Sequence, residues 1–97
     1  MVNLFYDSYR ILTKIYGEKA FIKQAISSEV IEPINKSAVI KTCYGVVEND
    51  IQLEYIISSL CEKRPKLPIR VLLKIAIYSI KFFYIMSILY IVLNILT

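Results

Sequence analysis

The last sixteen residues, Phe82 to Thr97, carry no charge, and Lys81 bounds them on the upstream side. A helix that is apolar on every face belongs in a protein core or in a bilayer. A spanning helix takes about 20 apolar residues, within a range of roughly 17–25, so this run falls just short. Extending it back to Val71 gains length but encloses Lys74 and Lys81. A lysine near the centre of a span costs about 2.5–3.5 kcal/mol, although one near an end can snorkel to the headgroups. The run is therefore read first as a core helix. A tail anchor with a basic flank is the alternative.

The rest of the composition narrows the choice. With 97 residues the chain is read as a single domain, 1–97. At 57% hydrophobic it is too apolar for intrinsic disorder. There is no histidine, which excludes His-based acid–base catalysis and His metal sites. Cys43 and Cys61 are too few for a disulfide framework and lack metal-site spacing. With no histidine to activate them, they read as small apolar packers. Gly17 and Gly45 are the only glycines, so no phosphate-cradling loop can be assembled. Glu48, Asp50 and Glu54 cluster in sequence, but they read as caps and solvating charges at a helix turn. Nothing supports an enzyme: the expected catalytic residues are none, and so are cofactors and metal ligands. Asp7, Arg10 and Lys14 interrupt the first apolar stripe, so Met1 to Tyr16 does not read as a secretory signal. The expected class is a helical, intracellular, cytoplasmic domain.

The periodicity is helical throughout. Residues 2–16 place Phe5, Tyr9, Leu12 and Tyr16 on one stripe, widened by Leu4, Ile11 and Ile15. Gly17 then stands where a left-handed cap belongs. A second helix is expected over 18–31, with Phe21, Ala25 and Ser28 on one line and Ile22, Ile26 and Val30 on the next. Pro33 breaks the pattern. A third helix follows over about 35–47, facing inward with Ala38, Val39, Thr42, Cys43 and Val46. Gly45 inside it costs about 1 kcal/mol against alanine, which implies close approach of another backbone. Asn49 and Asp50 can each cap a fourth helix over 51–61, with Gln52 three residues after Asn49. After the connector 62–68, Pro68 suits the first turn of a fifth helix over 68–83. Residues 82–97 form a sixth helix or continue the fifth; Ser87 is the only weak break. Of the eight tyrosines, Tyr6 and Tyr90 are expected at the surface. The fold class is all-α, a compact bundle of five to six helices with Tyr78 central to its core.

The charge is lopsided. Residues 1–62 carry six bases against eight acids, a balance of −2, while residues 63–97 carry six bases and no acid. The basic set is Lys63, Arg64, Lys66, Arg70, Lys74 and Lys81. Such bases neutralise phosphates without sequence selectivity. They equally suit a solvated stripe or the flank of a membrane anchor.

Three segments carry a likeness. Tyr44-Gly45-Val46-Val47 resembles a "YGV" element at a helix end. Asp50-Ile51-Gln52-Leu53-Glu54-Tyr55-Ile56-Ile57 resembles an "LD.II" helix, with Glu54 where Asp is usual. Leu72-Leu73-Lys74-Ile75-Ala76-Ile77-Tyr78 resembles an "LLR.AIY" helix, with Lys74 for Arg. In order and spacing these are similar to the NusB fold, shared by the transcription antitermination factor NusB and the N-terminal domain of the RsmB-type ribosomal RNA cytosine-C5 methyltransferase. The RsmB flavour fits slightly better. Met1-Val2-Asn3-Leu4 lacks the arginine-rich start of the antitermination factor. After Tyr78 the family's "AVVNEAVELAK" helix is replaced by the apolar run, so a member short of its last helix is expected.

The resemblance implies a non-catalytic RNA-binding module, in transcription antitermination or in rRNA processing and methylation. It adds Arg10 and Lys14 to the basic set, because the family's RNA surface includes its first helix. The alternatives are a protein-interaction or self-association domain working through residues 82–97, and a small tail-anchored membrane protein.

Overall fold

A computed structural model describes residues 2–96; Met1 and Thr97, with the expectations that touch them, lie outside the described residues. Five helices follow one another: α1 (Val2–Glu18), α2 (Ile22–Ser27), α3 (Pro33–Glu48), α4 (Asp50–Leu60) and α5 (Leu67–Leu96). Among the described residues there is no strand. The all-α bundle expected from the sequence is the fold.

α1, α3 and the first half of α5 pack on one another, with α4 closing on α5 and α2 on α1. Their shared core is Ile11, Leu12, Val39, Cys43, Val46, Leu53, Val71 and Ile75, with Ala25 from α2. Tyr9, Ile15, Tyr16, Val47 and Tyr78 pack around it. Phe5 sits at the edge of the α1 stripe and is exposed. Cys43 is buried, and burial pushes its thiol up to about 12, the Ser8 side chain working the other way; the thiol donates weakly to the Ser8 carbonyl. A thiol with that value stays protonated and unreactive at neutral pH.

Both glycines serve space rather than backbone conformation. The left-handed residue that ends α1 is Lys19, with φ 56°, not Gly17. Gly17 stays helical, and a Cβ there would stand 3.2 Å from Leu67 Cδ2. The start of α5 packs close over this position, and a side chain there would require Leu67 to shift slightly. At Gly45 a Cβ would run into the ring of Tyr78. Close approach was expected there, but the neighbour is an aromatic side chain rather than a backbone. Tyr78 thus lies across α3, and α5 is seated by a glycine notch.

α2 is much shorter than the expected helix over 18–31. Ser27 Oγ donates to the Gln24 carbonyl and Ser28 Oγ to that of Ala25. Such local bonds compete with helix propagation, and Pro33 excludes α-conformation just before it. The chain from 28 to 32 is extended or turned, leaving Val30 95% exposed. Pro33 does not merely precede α3 but occupies its first turn, where its missing N–H costs nothing.

α5 is continuous for 30 residues, so residues 82–96 prolong the fifth helix instead of folding back. Every residue from Tyr84 to Leu96 is exposed. A helix of that length is about 45 Å long, close to the longest molecular extent of 48 Å. The radius of gyration, 14.8 Å, exceeds the roughly 13 Å of a compact domain this size because this arm projects. The core role expected for 82–97 is therefore not what the fold uses. The half of α5 that fills the core is Leu67–Lys81. By length and composition, α5 qualifies as a membrane-crossing helix.

Candidate nucleic-acid interface

The six bases from Lys63 to Lys81 do not form one surface. Lys74 is only 2% exposed. Its ammonium donates to Asp50 Oδ1 at 2.7 Å and stands 2.9 Å from Glu54 Oε1. It also lies 4.0 Å above the ring centre of Tyr16, whose hydroxyl donates to the same Asp50 oxygen at 2.6 Å. Burial and the Asp50 hydrogen bond both raise the Tyr16 phenol. Burial alone raises Asp50, but the hydrogen bonds from Lys74 and Tyr16 outweigh it, and its carboxyl lies below the ordinary value. Glu54 is lowered chiefly by the Lys74 hydrogen bond. Lys74 is thus a core cation held by two carboxylates, and the expectation that it meets RNA phosphate is corrected: the fold leaves no path to it.

Arg70 is half withdrawn in the same way. Its Nη1 donates to the Pro65 carbonyl at 2.8 Å, while Nε stands 3.9 Å from Glu54. It anchors the connector to the first turns of α5. Lys81 donates to Gln52 Oε1 on α4. Arg70, Lys74 and Lys81 therefore line a polar seam facing α4, not a solvent stripe. Asp50 and Glu54 are the other side of that seam rather than caps. At the α4 start the backbone cap is Asn49, whose side chain turns back to the Gly45 carbonyl at 2.7 Å.

Arg10 and Lys14 on α1 converge on Glu29, at 3.4 and 2.7 Å, and Arg10 also pairs with Asp7 at 2.6 Å. Arg10 lies 4.8 Å over the Tyr6 ring. These are part-exposed cations already balanced by acids. The connector differs. Lys63 and Lys66 are exposed, and among the described residues no acid pairs with either. Arg64 is 69% exposed, with Glu54 at 3.5 Å. The connector runs into Leu67, which abuts Gly17, so these cations share the end of the bundle where Lys19 closes α1.

The sequence matches the NusB family over residues 8–87. The chain belongs to the NusB family. No curated protein and no solved structure matches it. At family level this means a non-catalytic, RNA-binding role of the antitermination type. The NusB match ends at residue 87, a few residues into the exposed arm. Within the NusB-family segment, the seam was detectable from spacing: Asp50 and Glu54 are four apart, as are Arg70 and Lys74. Two antiparallel helices bring such pairs into register.

Proposed function

We propose that this chain is a cytoplasmic, non-catalytic RNA-binding module of NusB type, a single domain acting in antitermination or in rRNA processing and methylation. The observation that carries the reading is the family match, joined to a connector whose bases Lys63, Arg64 and Lys66 stand in solvent. Phosphates would be neutralised there, with the α1–α3–α5 bundle as a rigid platform. Arg10 and Lys14 form a secondary contact, engaged when phosphate competes with Glu29. Arg70 and Lys81 act from behind, by fixing the connector and the α4–α5 seam. The motif likeness noted above favours a ribosomal RNA of the RsmB type over an antitermination RNA.

The test is a fluorescence-anisotropy titration of labelled single-stranded RNA across a salt series. Replacing Lys63 and Lys66 by glutamate is expected to weaken binding about tenfold or more. It should also flatten the logarithmic salt slope by about 1.4, from roughly 0.7 per lost phosphate contact. Unchanged affinity and slope in a folded double variant would remove the connector from the interface.

A further inference from the structure

The exposed half of α5 has a second use that RNA binding does not explain. From Tyr84 to Leu96 it is exposed on every face, and from Phe82 onward it has no charge. A protein groove, or one partner helix, would cover a single face and leave the other wet. Apolar character all round is what a protein core or a lipid environment selects, and the core of this bundle does not include the arm. The root of the arm supports the same reading. Where the helix leaves the bundle, Lys81 reaches Gln52 on one side and Lys41 lies 4.5 Å over the Phe82 ring on the other. Tyr84 follows, 67% exposed. Lysines and tyrosines at one level are the residues that settle at a headgroup boundary. Beyond Glu62 the sequence holds six bases and no acid, complementary to an anionic lipid surface.

We propose that Phe82–Leu96 inserts into an anionic lipid bilayer, with Lys41, Lys81 and Tyr84 at the headgroups and the bundle outside. Fifteen residues reach about 22 Å, against a hydrocarbon core of about 30 Å. Snorkelling of Lys81 and local thinning absorb the difference. Asn94, near the deep end, donates to the Tyr90 carbonyl within its own helix, so its amide enters with one bond already made. The inference stands independently of the RNA reading.

The test is flotation of the full chain on a density gradient with phosphatidylethanolamine–phosphatidylglycerol vesicles, washed at about 1 M salt, where surface charge pairing is screened. The wild type is expected to float and to resist the wash. Leu89→Lys and Ile91→Lys sit about 200° apart on the helix and touch nothing in the bundle core. Each alone should lower the ratio of bound to free protein about tenfold or more, with helical circular dichroism preserved. A chain that stays at the bottom of the gradient overturns the proposal, whatever its oligomeric state. So does flotation lost in only one of the two variants, which would mark a single contact face and a second copy as the occupant. RNA titration of the two variants keeps the readouts separate, since neither substitution touches the connector.

Discussion

The two halves of α5 are nearly equal in length and both apolar, yet they live in different surroundings. Leu67–Lys81 holds three bases and is gripped by α1, α3 and α4. Phe82–Leu96 holds none, and from Tyr84 onward it is exposed. The contrast is sharpest in single residues: Lys74 is 2% exposed and Ile95 76%. Hydrophobicity says what a segment would gain by leaving water. It does not say whether the fold has a neighbour to offer. In the first half the neighbours come with carboxylates, so a cation can be buried; in the second, from Tyr84 on, the helix stands clear of the core.

That comparison can be broken hardest at Lys74. Removing it by Lys74→Ala takes the cation from between Asp50 and Glu54; breaking a buried pair costs about 3–5 kcal/mol, and the partial exposure of the two carboxylates puts this one at the lower end of that range. For a domain of this size each 1 kcal/mol moves the midpoint of thermal unfolding by about 4–8 °C. A fall of at least about 12 °C is expected by circular dichroism. A change under about 4 °C would mean the seam is solvated and the pair weak. Loss of RNA binding in such a variant says nothing about phosphate contact, because the platform itself is damaged.

Gly45→Ala comes next. Its methyl meets the Tyr78 ring, which must swing out of the core edge, an overpacking cost of about 1–3 kcal/mol. Combining it with Tyr78→Leu should recover part of the loss, since the colliding atoms are gone. Strict additivity of the two changes would show that the ring and the glycine do not meet.

The sequence disclosed the bundle more fully than the site, and the reason is physical. Helix positions follow from period and punctuation, and these survive in one dimension: Pro33, the Asn49-Asp50 restart and Pro68 all fall within a few residues of real boundaries. α2 failed because serine side chains took backbone carbonyls, a local competition that period counting does not register. Lys74 and Arg70 looked like surface bases because charge is normally solvated; only pairing with α4 reveals the opposite. Arg10 and Lys14 are likewise tied to Glu29, fifteen or more residues away. What stayed visible as free charge, Lys63 and Lys66, lies in the exposed connector, with no acid paired to either among the described residues.

Acid sharpens the comparison through the seam. Asp50 and Glu54 titrate below their ordinary values in the folded state. Their contribution is complete above the unfolded carboxyl value of about 4 and is lost as pH falls through the lowered folded values. Tyr16 works at the other end: its raised phenol supports the fold below about 10, and that support is lost as pH rises beyond. Urea midpoints should therefore fall steeply on acidifying below about pH 4. With Asp50→Asn and Glu54→Gln together, the acid limb should flatten while the neutral midpoint is lower. A wild-type acid limb unchanged by those substitutions would place the acid-sensitive groups outside the seam.

The smallest effect is expected in the bare half, and its smallness is the point. Leu89→Ala removes a large apolar side chain that touches no core residue, so in lipid-free buffer the unfolding free energy should change by no more than about 0.5 kcal/mol, as at an ordinary surface site. A leucine in the buried half of a comparable helix costs about 2–5 kcal/mol on the same truncation. If Leu89→Ala proved as costly as that, the arm would have to be packed against something in solution, and a second copy would be the first suspect. Repeating the melt over a hundredfold range of protein concentration decides the matter. A midpoint that rises with concentration marks association, whereas a constant one leaves the arm to lipid.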